Sequence, residues 1–142
     1  MAVSTVDAIG DRLDHPDLVP LELRHLIEDD RSRVARILSI PVTGRILDVG
    51  CSDGAITRRI AKAWNVQAFG ADVRAHETGY GLQWDARDPW PTDERFDAVY
   101  ACEVLDHLTD EDARLALRHM LDVLKPGGRF IVTVPKDRKS VV

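Results

Sequence analysis

Cysteine is scarce in this sequence, aromatic residues are few, and no long apolar run interrupts it. Two cysteines, Cys51 and Cys102, stand among 142 residues, too few for a disulfide-stapled scaffold. No segment reaches the ~20 apolar residues that a membrane-spanning helix needs. The first residues also lack the apolar run of a signal peptide. A cytoplasmic setting with no membrane partner is the expectation. An excess of positive charge is missing too: 19 Lys and Arg face 24 Asp and Glu, a formal net charge of -5. A nucleic-acid backbone wants a basic face, so nucleic acid is not the expected partner. There is no internal repeat and no low-complexity tract. What remains is 44% hydrophobic and 30% charged residues, ordinary values for one globular domain.

The apolar period changes along the chain. Residues 1–18 are largely polar, without period, and read as a loosely packed arm. From Val19 to Leu38, the residues Leu23, Leu26, Ile27, Val34, Ile37 and Leu38 fall on one face of a helix, with Pro41 just past its end. Residues 1–41 are thus expected to be an N-terminal arm and helix, and residues 42–142 the main domain. Arg45 to Val49 is a short apolar run, as in a strand buried on both faces. A glycine-containing loop follows, then helical spacing over residues 55–64 through Ile56, Ile60, Ala61 and Trp64. Val66–Asp72, Gly81–Ala86 and Phe96–Val104 read as a second, third and fourth strand. Thr109 with Asp112 makes a capping box before a helix whose apolar face is Ala113, Leu117, Met120, Leu121 and Leu124. Lys125-Pro126-Gly127-Gly128 is the expected stop, and Arg129–Val134 the fifth strand.

Strands alternating with helices imply parallel pairing with helices on the faces of the sheet. Two places strain that pattern. Only eight residues lie between Asp72 and Gly81, fewer than a parallel crossover helix needs. The fifth strand would also be an apolar sheet edge, which is normally covered or paired.

In an open parallel sheet, ligands bind outside the carboxyl ends of the strands. The special residues gather there. Gly50 and Gly54 close a tight turn after the first strand. Asp72 ends the second strand, 22 residues after Gly50, where a carboxylate can accept hydrogen bonds from ribose hydroxyls. Asp85 closes the third, within reach of an exocyclic amino group of a purine. Cys102-Glu103 closes the fourth. Taken alone, Gly50-Cys51-Ser52-Asp53-Gly54 also spells the nucleophile elbow of serine hydrolases. That fold places several strands before the elbow, and here a helix fills most of the preceding space. A nicotinamide fingerprint would need glycines at the places of Gly50, Ser52 and Ala55, and only Gly50 supplies one.

The stretch Arg45-Ile-Leu-Asp-Val-Gly-Cys-Ser-Asp-Gly54 resembles the first motif of class I S-adenosylmethionine-dependent methyltransferases. Trp84-Asp85-Ala86, Phe96-Asp97-Ala98-Val99, the run from Cys102 to Leu108, and Leu124-Lys-Pro-Gly-Gly-Arg-Phe130 are similar to its later motifs, in the family's order. The resemblance implies a shortened doubly wound, Rossmann-like, mainly parallel α/β sheet with strand order 3-2-1-4-5 and an N-terminal helical segment. It implies S-adenosylmethionine as cofactor. Asp48, Gly50, Cys51, Ser52, Asp53 and Gly54 would flank its methionine part. Asp72 with Val73 would take the ribose, Asp85 with Ala86 the adenine, and Ala101 with Cys102 would line the methionine end. His107 and Glu103 are the candidate general bases for transfer to a small-molecule acceptor, and no metal is expected. Trp90, between Pro89 and Pro91, is a candidate wall of the adenine pocket. Cys51 and Cys102 are read as packing residues.

The departures from the family pattern carry their own expectations. Ser52 stands where the family has its central loop glycine, and places a Cβ in a crowded turn. The family's last helix and final antiparallel strand pair have no counterpart before Val142. A cofactor-binding chain that is not catalytic by itself, or a fragment that needs a partner, is therefore the alternative expectation. A homodimer covering the fifth strand is the assembly that goes with it.

Overall fold

The computed structural model describes residues 31–32, 34–40, 42–75, 81–102 and 104–133. The expected arm over residues 1–18 and the start of the N-terminal helix lie outside them. Residues 34–38 are helical, with Val34 and Ile37 buried, as the spacing requires. Five strands follow: β1 (Arg45–Val49), β2 (Gln67–Asp72), β3 (Leu82–Gln83), β4 (Phe96–Cys102) and β5 (Leu124–Thr133). The helices are α1 (Ala55–Trp64) between β1 and β2, and α2 (Asp110–Asp122) between β4 and β5, with a short 3-10 turn over Leu105–His107 before α2. All strand pairs are parallel, in the order β3-β2-β1-β4-β5. The parallel pairing is what the alternation of strands and helices predicts, and the strand order is the one the family resemblance implies.

The sheet has a core on each face because β1 and β4 are apolar on both. Ile46, Ala98, Tyr100 and Ile131 pack with Ile60 of α1 and with Val34 and Ile37. Leu47, Val49, Val99 and Ala101 pack on the other face with Ala116 and Met120 of α2, Phe96 and Trp84. Successive strand residues point to opposite faces, so one short run feeds both cores. Each fully buried Ile, Leu, Phe or Met contributes roughly 1.5–3 kcal/mol of transfer free energy.

Thr109 is the N-cap of α2, and its hydroxyl accepts from the Asp112 N–H at 3.2 Å. Asp110, Glu111 and Asp112 fill the first turn, where the helix dipole favours negative charge. Ala116 and Met120 are fully buried, but Leu121 is 46% exposed, so the buried stripe is narrower than its apolar residues suggest.

Three expected boundaries shift. Helix α2 ends at Asp122, with Val123 as a right-handed C-cap, and Lys125-Pro126-Gly127-Gly128 is not its stop. Those residues lie inside β5, where a register shift between Phe96 and Ala98 absorbs them. The third strand is two residues, not Gly81–Ala86, and the fourth ends at Cys102, before Val104. Both residues of β3 are exposed.

Candidate functional site

At the carboxyl ends of β1 and β2, the chain leaves a cavity of about 310 Å3. The strand ends supply Val49 and Asp72, and the first turn supplies Gly50. Val73 follows β2, and Trp84, Asp85 and Ala86 follow β3. Val104, His107 and Leu108, between β4 and α2, close the remaining side.

The loop after β1 is bent by its backbone. The N–H groups of Gly50 and Cys51 both donate to the Ala71 carbonyl, at 2.7 and 3.1 Å. Gly50 has φ 82°, and a Cβ there would lie 2.6 Å from Val104 Cγ2. A side chain at Gly50 is therefore excluded both by conformation and by contact. Ser52 adopts a left-handed φ of 49° without being glycine. Its N–H donates to Asp72 Oδ2 at 2.8 Å, a hydrogen bond that offsets the conformational cost. Asp53 Oδ1 accepts from the Ala55 N–H at 2.9 Å, which ties the loop to the start of α1. Asp48 is buried, and Thr57 of α1 donates its hydroxyl to Asp48 Oδ2 at 2.5 Å.

The strand-end acids differ in their partners. Asp72 accepts the Ser52 N–H on Oδ2 and the Arg74 N–H on Oδ1, the latter at 3.0 Å. An ionised carboxylate has about four acceptor sites, so these two leave room for further donors. Asp85 is gripped by Arg87, whose Nη2 lies 2.6 Å from Oδ2 and whose N–H reaches Oδ1 at 2.9 Å. Those hydrogen bonds hold the Asp85 carboxyl below the usual carboxylate range. The Cys51 thiol is pushed up to about 12, first by burial and then by the charges of Asp48 and Asp72. It stays a neutral packing group and is no nucleophile at ordinary pH. The His107 side chain is 77% exposed, with Nε2 3.8 Å from Asp106 Oδ2.

The cavity thus brings together Gly50, Asp72, Val73, Asp85, Ala86 and His107. Asp48, Cys51, Ser52, Asp53, Gly54 and Ala101 are not among its walls, although the loop residues fix where Gly50 and Asp72 stand. Cys102 ends β4, and Glu103 lies outside the described residues. The expected aromatic wall is corrected: Trp84 lines this cavity, whereas Trp90 lines a separate one with Phe69 and Phe96. The two indoles meet edge to face at 4.9 Å, so Trp90 stands beside Trp84 and away from the site. Val49, within the stretch that resembles the family's first motif, is also a wall. Val104 and Leu108 are walls given no role from the sequence, and only the short return of the chain after β4 could have signalled them. Among the described residues, no group of three or more His, Cys, Asp or Glu is placed to hold a metal ion. No described helix is long and apolar enough to cross a membrane.

The chain is similar to known proteins in sequence and in fold. A family model described as a methyltransferase domain matches residues 22–141. The 27-O-demethylrifamycin SV methyltransferase of Amycolatopsis mediterranei is 32% identical over 87% of this chain and 54% of its own length. A ubiquinone biosynthesis O-methyltransferase of Cereibacter sphaeroides is 31% identical over 85% of this chain and 55% of its own. The chain spans about half the length of the curated relatives it matches. Among solved structures, the PH0226 protein of Pyrococcus horikoshii shares the fold with a TM-score of 0.65 at 20% identity, over 91% of this chain and 62% of that one. The N-methyltransferase NodS of Bradyrhizobium japonicum, solved with S-adenosyl-L-homocysteine, does so with a TM-score of 0.59 at 23% identity, over 92% and 72%.

Proposed function

The chain belongs to the methyltransferase domain family, and from that membership we propose that it binds S-adenosylmethionine and transfers its methyl group to a small-molecule acceptor. The observation that carries this reading is Asp72. It stands at the carboxyl end of β2, is held in place by two backbone N–H groups, keeps acceptor capacity, and borders the cavity. The dimensions agree: about 310 Å3 lies at the lower end of the roughly 300–1,000 Å3 of small-ligand sites. Asp72 would accept from the ribose hydroxyls, with Val73 beside them. Trp84 and Ala86 supply apolar contact for a purine, and Asp85 a carboxylate at its edge. Gly50 borders the cavity where the methionine part would lie, flanked by the rest of the loop to Gly54 and by the end of β4 at Ala101 and Cys102.

When bound, the sulfonium supplies an electrophilic methyl group. The chain's share of the work is to align the acceptor with that methyl and to keep water away. His107 at the cavity rim, or Glu103 four residues before it in sequence, would take the acceptor's proton. In this reading residues 42–142 form the cofactor domain behind an N-terminal arm and helix, in a reducing cytoplasm that suits the free thiol of Cys51. Among the described residues β5 is a sheet edge with Val132 exposed, and a second copy would cover it.

A second reading, cofactor binding without catalysis by this chain alone, is favoured by the exposure of His107. A base this open to water gains little from its surroundings. Thermal melting with millimolar S-adenosylmethionine and its demethylated product tests the binding. The expected result is a rise in melting temperature with both, and no rise with either contradicts the proposal. Methyl transfer across a broad acceptor screen then separates the readings: turnover that falls by about 100-fold or more in His107→Ala supports His107 as the base. Binding without any turnover supports the second reading.

A further inference from the structure

The wall that faces the purine in this proposal is a loop without strand partners. Strand β3 ends at Gln83, and the Trp84 N–H makes a last bond to the Asp72 carbonyl at 2.7 Å. Beyond it, helix α2 takes hold of two successive residues. His119 Nδ1 lies 2.7 Å from the Ala86 carbonyl oxygen. Arg87 Nη1 lies 3.7 Å from Asp112 Oδ2, while the same guanidinium grips Asp85. Asp112 and His119 are seven residues apart on α2, which puts them on one helix face two turns apart.

The two contacts differ in strength. The Arg87–Asp112 pair is long and half exposed, so solvent screens most of it. The His119 contact is short and partly buried, and Ala86 is 6% exposed. A carbonyl oxygen only accepts, so His119 must donate through Nδ1–H; the neutral tautomer with that proton and the imidazolium both do so. A shielded hydrogen bond of this length constrains the orientation of the peptide it holds.

We propose that His119 is a positioning residue for the purine end of the cofactor site, fixing the Ala86 peptide so that the wall reads the edge of the base. The inference rests on the cofactor reading above. It makes selectivity for the purine edge, and not affinity alone, depend on a side chain that is not among the cavity walls.

The test is isothermal titration of the full chain with S-adenosylhomocysteine and with its deaminated analogue, which carries a carbonyl in place of the adenine amino group. The unmodified chain should prefer the adenine form. His119→Ala should narrow that preference by about tenfold, the scale of one lost hydrogen bond. His119→Asn, which presents an amide N–H at similar reach, should restore it to within about threefold of the unmodified value. If His119→Ala does not fold, His119→Gln against His119→Asn carries the test, because the longer glutamine misplaces the donor and should narrow the preference. Loss of both ligands in equal proportion, no change in the preference, or no preference in the unmodified chain overturns the inference and leaves the cofactor reading standing. An unmodified chain that binds neither ligand overturns the cofactor reading, and the inference with it.

Discussion

Asp72 serves the loop and the cavity at once: Ser52 and Arg74 donate to it from the backbone, and its carboxylate borders the open space. Asp72→Ala should therefore weaken S-adenosylhomocysteine binding by about 10- to 100-fold, since hydrogen bonds to a charged group contribute roughly 1.5–3 kcal/mol. Titration of the variant checks this, and unchanged affinity would remove Asp72 from the site. Cys51 gives an independent check of the loop's interior. Its folded-state value is raised from 9.0 to about 12 by burial and the nearby carboxylates, so the thiolate is scarce below that range. At about pH 8, iodoacetamide should leave Cys51 unmodified in the native chain and alkylate it in urea, as peptide mass spectrometry reads. The place of Asp72 at a strand end was legible from the apolar run before it. The partner of Asp48 was not, because Thr57 lies on α1, and spacing does not say which hydroxyl meets which carboxylate. Trp90 was the expected wall because prolines flank it, and only the packing shows that Trp84 reaches the cavity instead.

The helices and strands were legible in proportion to how local their signals are. The start of α2 is a cap that one side chain makes with a backbone N–H three residues on, and the sequence spells it. Thr109→Ala should cost about 1 kcal/mol and lower the melting temperature by roughly 2–8 °C. No change in melting would mean that the helix start is held by other contacts. The end of α2 was misread because Pro and Gly mark irregular backbone without saying what kind. Here Val123 ends the helix in a right-handed conformation, and the Lys-Pro-Gly-Gly run enters β5 across a register shift. Strand β3 was overextended because Trp84 and Ala86 are buried by the core beside α2 and not by sheet pairing. Apolar residues reveal burial, not the partner that buries them. The contact of His119 with Ala86 was not legible, since it spans 33 positions.

For the whole molecule, the alternation of strand and helix was enough for a parallel α/β sheet, and the ordered motifs for its family. The five-strand order and the position of the cavity agree with both. Where the signals are non-local, as in the register shift between β4 and β5, only the folded arrangement shows the pairing. The exposed Val132 on that edge makes the assembly state measurable: sedimentation should give the mass of two chains if a second copy covers β5, and a single-chain mass contradicts that pairing. Central to all of this is the cavity at the carboxyl ends of β1 and β2 as a cofactor site. Isothermal titration of the intact chain with S-adenosylhomocysteine tests this most directly. The prediction is saturable binding at one site per chain that Asp72→Ala weakens. Absence of any binding heat at millimolar ligand, together with no shift in melting, would contradict it.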